Sequence, residues 1–194
     1  FTFSLPETIE TAVKAEIEKW QTTDSVGRIW RKDASVWTSS GEENWLGWLD
    51  IVDRELNDTE KYRALYADIE SAGFSDILLM GMGGSSLCPE VLAITFGKEN
   101  FHILDSTVPG QVRAVEEKLD IANTLFIVAS KSGSTLEPNC FKTYFFDRLS
   151  QIVGAENAGK QFIAITDPGS KMEHAAKADG YRHIFYGEPT VRGR

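Results

Sequence analysis

Cysteine and histidine are scarce: the 194 residues hold two cysteines, Cys88 and Cys140, and three histidines, His102, His174 and His183. So few cysteines exclude a disulfide framework in a chain of this size, which favours reduced thiols and a cytoplasmic setting. Cys88 is expected to be a small buried residue rather than a nucleophile. The histidines show no metal-ligand spacing, so each reads as structural, and neither a metal nor a cofactor is expected. No apolar run approaches the ~20 residues of a membrane span. The opening Phe1-Thr2-Phe3-Ser4-Leu5-Pro6 has neither the basic start nor the apolar stretch of a signal peptide. Positive charge is also short: 20 Lys+Arg stand against 29 Asp+Glu, for a net charge of −9. That excludes broad nucleic-acid binding, but not an anionic small molecule in a locally positive site. The first residue is Phe1 and the end, Thr190-Val191-Arg192-Gly193-Arg194, has no helical character; both ends read as cuts inside a larger protein.

Tryptophan is confined to the first 60 residues: all five, Trp20, Trp30, Trp37, Trp45 and Trp48, lie there. Ile9, Val13, Ile17 and Trp20 recur at helical spacing, and the segment reads as helices that pack against the domain that follows. From about Thr59 the pattern becomes regular. Tyr62, Leu65, Ile69 and Ala72 mark a helix ended by Gly73. Short apolar runs at 77–80, 101–104, 124–128, 162–165 and 183–185 read as strands buried on both faces. Helices are expected at 89–96, 109–119, 136–149 and 170–178. Strands alternating with helices imply an α/β fold: a parallel sheet of about five strands sandwiched by helices. Residues 1–58 form an N-terminal helical extension to it and 59–194 the ligand-binding domain. Ligands of such sheets bind beyond the carboxyl ends of the strands, which points at the loops 81–86, 129–135 and 186–194.

The first loop, Gly81-Met82-Gly83-Gly84-Ser85-Ser86, follows a strand and precedes a helix. Glycines let a ligand approach the backbone, and amides at a helix start suit an anion. Ser86 stands where a dinucleotide fingerprint needs its third Gly, and no Gly-Lys-Ser/Thr follows as in a P-loop; a plain tight turn is the simpler alternative. The second loop, Ser130-Lys131-Ser132-Gly133-Ser134-Thr135, brings hydroxyls and one ammonium, with Glu137 close behind. It suits a phosphate monoester; its plainer reading is a solvated loop with a good N-cap. The third loop offers Arg192 and Arg194, and arginine can grip an oxyanion with two donors. Glu173 and Lys177 read as an ordinary i,i+4 surface pair.

Taken together, the stretches Gly81–Leu87, Ala129–Glu137 and Arg192-Gly193-Arg194 resemble the glucose-6-phosphate isomerase family, whose members are built from sugar isomerase (SIS) domains. Lys32–Trp37, Trp45–Trp48 and Thr166–Ser170 look like the isomerase part of bifunctional transaldolase/glucose-6-phosphate isomerases. The resemblance implies that Ser85, with the backbone of Gly84, and then Ser130, Lys131, Ser132 and Thr135 hold the phosphate of glucose 6-phosphate or fructose 6-phosphate. Arg194, beside the substrate-contacting Gly193, would stabilise an enediolate, and Glu137 would support a ring-opening histidine. Arg192 stands where the family has Gly. The family's catalytic base and that histidine have no match here, so the chain is expected to be a piece that stops before a second SIS half and turns nothing over. A non-catalytic SIS module that senses a sugar phosphate is the alternative. The partners implied are the sugar phosphate and the second SIS half, with a homo-oligomer allowed and no nucleic acid or membrane.

Overall fold

In the computed structural model, which describes residues 4–191, Pro6 caps the first helix, α1 (Glu7–Thr22). The stripe Ile9, Val13, Ile17 and Trp20 lies on α1 as its spacing predicts, but every one of the four is exposed and α1 buries no residue. Of the five tryptophans, Trp20, Trp30, Trp37 and Trp48 are exposed. A short α2 (Ser25–Trp30) follows. Two 3-10 turns, Ala34–Val36 and Glu42–Leu49, lead to α3 (Ile51–Leu56), and the second turn buries Leu46 and Leu49. Ion pairs stitch the segment: Arg28 Nε to Asp33 Oδ2 at 2.7 Å and Lys32 Nζ to Asp50 Oδ2 at 2.7 Å. Residues 4–58 form one compact unit together with 190 and 191, and residues 59–189 form a second.

The second unit opens with α4 (Glu60–Ala72), ended by Gly73 at φ 72°. Then come β1 (Asp76–Gly81), α5 (Gly84–Thr95), β2 (Phe101–Leu104), α6 (Pro109–Glu116), β3 (Thr124–Ala129), α7 (Leu136–Val153), α8 (Ala155–Ala158), β4 (Phe162–Thr166), α9 (Lys171–Ala178) and β5 (His183–Tyr186). The strands pair in the order β2-β1-β3-β4-β5, all parallel. The α/β sheet is thus the one the alternating pattern implies.

Alternation along the strands divides the core between two faces. Leu78, Met80, Phe126, Val128, Phe162 and Ala164 meet Phe141, Phe145 and Leu149 of α7, Met172 and Ala176 of α9, and Val112 and Val115 of α6. Phe126 anchors this layer, its ring 4.9 Å from that of Phe162 and 5.4 Å from that of Phe145. On the other face α5 packs on β1 and β2, and Tyr62 of α4 stacks on Phe185 at 5.7 Å. This layer is thinner, and Ile165 of β4 stays exposed.

Candidate functional site

A sheet in this order changes its direction of winding between β1 and β3, and ligands of such sheets bind in the crevice beyond the carboxyl ends there. Gly81 and Ala129 are paired at the last step of those two strands. Residues 82–83 and 130–135 therefore leave the sheet as neighbours, from strands ~4.8 Å apart.

The first loop is shorter than its sequence suggests. The expected turn over 81–86 is only Met82 and Gly83, because α5 begins at Gly84 and takes Ser85 and Ser86 into its first turn. Gly83 sits at φ 55°, ψ −124°, a conformation that side chains resist. No atom lies within 4 Å of where a Cβ on Gly83 or Gly84 would stand, so both border open space. Ser86 is buried, its hydroxyl donating to the Gly83 carbonyl at 3.0 Å. The Ser85 amide donates to the Met82 carbonyl at 3.1 Å, while its half-buried hydroxyl makes no hydrogen bond among the described residues. Gly84 contributes one of the first-turn amides that have no intrahelical acceptor. Cys88, one turn on, is exposed, which corrects the expectation of burial.

The second loop is better braced. The Ser130 amide donates to the Ile165 carbonyl at 3.0 Å, and the Gly133 amide returns to the Ser130 carbonyl at 3.0 Å. Asn139, on the first turns of α7, reaches back to the carbonyls of Thr135 at 2.7 Å and Gly133 at 3.3 Å. Ser132 and Ser134 share a 2.9 Å hydroxyl contact. Thr135 is the N-cap of α7, yet its hydroxyl caps nothing, so the plain reading as a good N-cap does not describe this loop. Ser130 is 3% exposed and its buried Oγ has no hydrogen-bond partner. Such an orphan hydroxyl costs about 1–3 kcal/mol. Lys131 Nζ lies 2.6 Å from Asp167 Oδ1 and 2.8 Å from the Glu188 carbonyl. Glu137, in the first turn of α7, is half-buried.

Those contacts bring in a fourth loop, Asp167–Ser170 after β4. Its Ser170 caps α9, accepting from the Glu173 amide at 3.0 Å and meeting Thr166 Oγ1 at 2.8 Å. Glu173 is no ordinary surface residue: it is buried, accepts from Lys177 at 2.6 Å, from the Tyr186 hydroxyl at 2.9 Å and from the Gly169 amide. The Lys177 ammonium foremost, then the Gly169 amide and the Tyr186 hydroxyl, hold its carboxyl down at about 2. His102 Nε2 lies 3.0 Å from Asp76 Oδ1 and His174 Nδ1 2.8 Å from the Ser170 carbonyl. Among the described residues no group of His, Cys, Asp and Glu is placed to hold a metal ion, and no helix is long and apolar enough to cross a membrane.

No family model matches the chain. The glucose-6-phosphate isomerase of Prochlorococcus marinus (strain NATL2A) is 28% identical over 208 residues, covering 99% of this chain and 37% of that protein. The glucose-6-phosphate isomerase of Synechococcus sp. (strain JA-2-3B'a(2-13)) is 34% identical over 157 residues, covering 75% of this chain and 28% of that protein. The chain belongs to the glucose-6-phosphate isomerase family. It spans about a third of the length of these curated relatives. A solved glucose-6-phosphate isomerase from Chlamydia trachomatis D/UW-3/Cx shares the fold, with a TM-score of 0.62 over 86% of this chain and 31% of that one at 23% identity.

Of the residues that the isomerase resemblance singles out, Gly84 and Ser85 open α5 directly after the turn that leaves β1, and Ser130, Lys131, Ser132 and Thr135 lie in the loop that leaves β3. Glu137 begins the helix behind that loop. Arg192, Gly193 and Arg194 lie outside the described residues. Sequence reasoning missed Asp167 and Asn139. The rule that named the other loops also covers the one after β4, which would have marked Asp167 as a loop residue at the same sheet edge but not its contact with Lys131.

Proposed function

We propose that this chain is the sugar-phosphate-binding part of a glucose-6-phosphate isomerase. Residues 59–194 form its SIS domain and residues 1–58 an extension to it. The reaction interconverts glucose 6-phosphate and fructose 6-phosphate by moving a proton between C1 and C2 through an enediol. The observation that carries the proposal is the set of donors without protein acceptors at the start of α5 and on the loop after β3: the hydroxyls of Ser85, Ser130 and Thr135 and the first-turn amide of Gly84. These suit a phosphate monoester, whose oxygens accept from several sides. The backbone amide of Lys131 and the hydroxyl of Ser132 complete the cradle. Phosphate anchoring holds C1 and C2 in place for chemistry elsewhere. Arg194 then stabilises the enediolate and Gly193 lets the sugar approach, while Glu137 orients a ring-opening histidine. A base and that histidine come from a second SIS half, so the 194 residues bind without turnover.

Calorimetric titration with fructose 6-phosphate tests this. The chain should bind saturably, and Ser85→Ala or Thr135→Ala should each weaken binding roughly tenfold, the scale of a hydrogen bond to a charged group. Absence of binding by the folded chain, or variants that bind like the parent, would overturn the reading. Isomerase activity near that of a whole enzyme would overturn the claim that this piece is inactive. Binding by a longer form of the protein that still turns nothing over would make it a sensing module instead.

A further inference from the structure

We propose that the Lys131 ammonium is not a phosphate ligand but a staple, which Asp167 holds in place and which joins the loops after β3, β4 and β5. The phosphate is then held by the amides and hydroxyls that this staple positions. The inference rests on the sugar-phosphate reading above and assigns Asp167 as a positioning residue.

Lys131 Nζ spends one proton on Asp167 Oδ1 at 2.6 Å and one on the Glu188 carbonyl at 2.8 Å. The same residues are joined through the backbone. The Lys131 carbonyl accepts from the Asp167 amide at 2.8 Å and from Thr166 Oγ1 at 3.3 Å. Gly187 closes over the pair, since a Cβ there would stand 2.8 Å from Asp167 Oδ1 and 3.5 Å from Lys131 Nζ. Its own amide donates to the Thr166 carbonyl at 2.8 Å. The Asp167 side chain is 12% exposed against 39% for Lys131, so the carboxylate is the more fixed partner. A phosphate dianion brought to this nitrogen would meet the carboxylate as a like charge within a few ångströms, which offsets the attraction of the ammonium. Beyond the ammonium's third proton, the donors left open are on the loop itself. The amides of Lys131 and Ser132 donate to no described acceptor, and the Ser130 hydroxyl is buried without a partner. Successive open amides in a turn make an anion-binding concavity.

The test is a double-mutant cycle on the 194-residue chain with inorganic phosphate and fructose 6-phosphate as probes. It uses Lys131→Met, Asp167→Asn and the double variant, with hydrogen exchange read at the Gly187 amide. Each single change should weaken both probes by roughly three- to thirtyfold and the double by no more than the worse single, as for residues acting as one unit. Gly187 should exchange faster in all three. If Asp167→Asn binds as tightly as the parent or tighter while Lys131→Met weakens binding, the ammonium contacts phosphate and the staple is wrong, with the isomerase reading intact. Unchanged Gly187 exchange in both single variants would also overturn it. No saturable binding by the folded parent would remove the phosphate reading and this inference together. Should Asp167→Asn fail to fold, Asp167→Glu replaces it: it keeps the charge but moves the carboxylate, so a staple predicts weaker binding and a direct contact predicts binding like the parent's.

Discussion

At the scale of single residues, two hydroxyls in the same structural position have opposite duties. Ser170 and Thr135 are both N-caps of helices that follow strands, but only Ser170 accepts a backbone hydrogen bond. Ser170→Ala should therefore cost about 1–2 kcal/mol of stability, because it frees the Glu173 amide and leaves Thr166 Oγ1 without its 2.8 Å contact. Thr135→Ala removes no cap and should stay within ~0.5 kcal/mol of the parent. Urea unfolding of the two variants checks the contrast, and equal losses would mean that Thr135 does cap α7. Gly133 makes a second residue-scale case. It sits at φ 67°, and a Cβ there would stand 2.8 Å from the Met172 amide nitrogen and 2.9 Å from Ser170 Cβ. Gly133→Ala should cost at least ~1–3 kcal/mol from backbone strain alone, and should loosen the start of α9 in hydrogen exchange.

At the scale of elements, the turn into α9 depends on a charged carboxylate. Glu173 ties α9 to itself through Lys177, to the preceding loop through the Gly169 amide and to β5 through Tyr186. Its carboxyl is held at about 2, below the ordinary 4.5. Because these contacts favour the ionised form, their contribution to stability is complete above about pH 4.5 and is lost as pH falls toward 2. Glu173→Gln should be less stable than the parent near neutrality, and the two should converge across that window. Urea midpoints followed against pH measure this; parallel curves would refute it. The five strands are legible because both faces of a parallel sheet are covered, so apolar runs such as Ile77–Met80 stand out. The start of α5 is not, because Gly84, Ser85 and Ser86 are weak helix formers that the end of β1 nonetheless carries into a helical turn. The phosphate-loop candidates were legible as clusters of glycine and hydroxyl. Asp167 was not, since it lies 36 residues from Lys131 and meets it only through strand order.

At the scale of the whole molecule, what stands out is how much apolar surface the described residues leave exposed on α5. Leu87, Val91 and Ile94 recur at i, i+4 and i+7, with Val91 61% and Ile94 76% exposed and Phe96 beside them. Glu90 is the one charged residue between Gly84 and Thr95. Contiguous apolar patches of this kind are rare on monomeric proteins and drive association. The chain should therefore self-associate as its concentration rises, and Val91→Glu with Ile94→Lys should shift it toward monomer in sedimentation velocity. Both side chains point to solvent, so the double change should leave the unfolding midpoint nearly where it was. It should also leave fructose 6-phosphate affinity unchanged, because Ser85 sits at the opposite end of α5. A parent that stays monomeric at high concentration would show that this face is not sticky. A double variant that loses sugar phosphate as well as self-association would show that association and the phosphate loops are coupled.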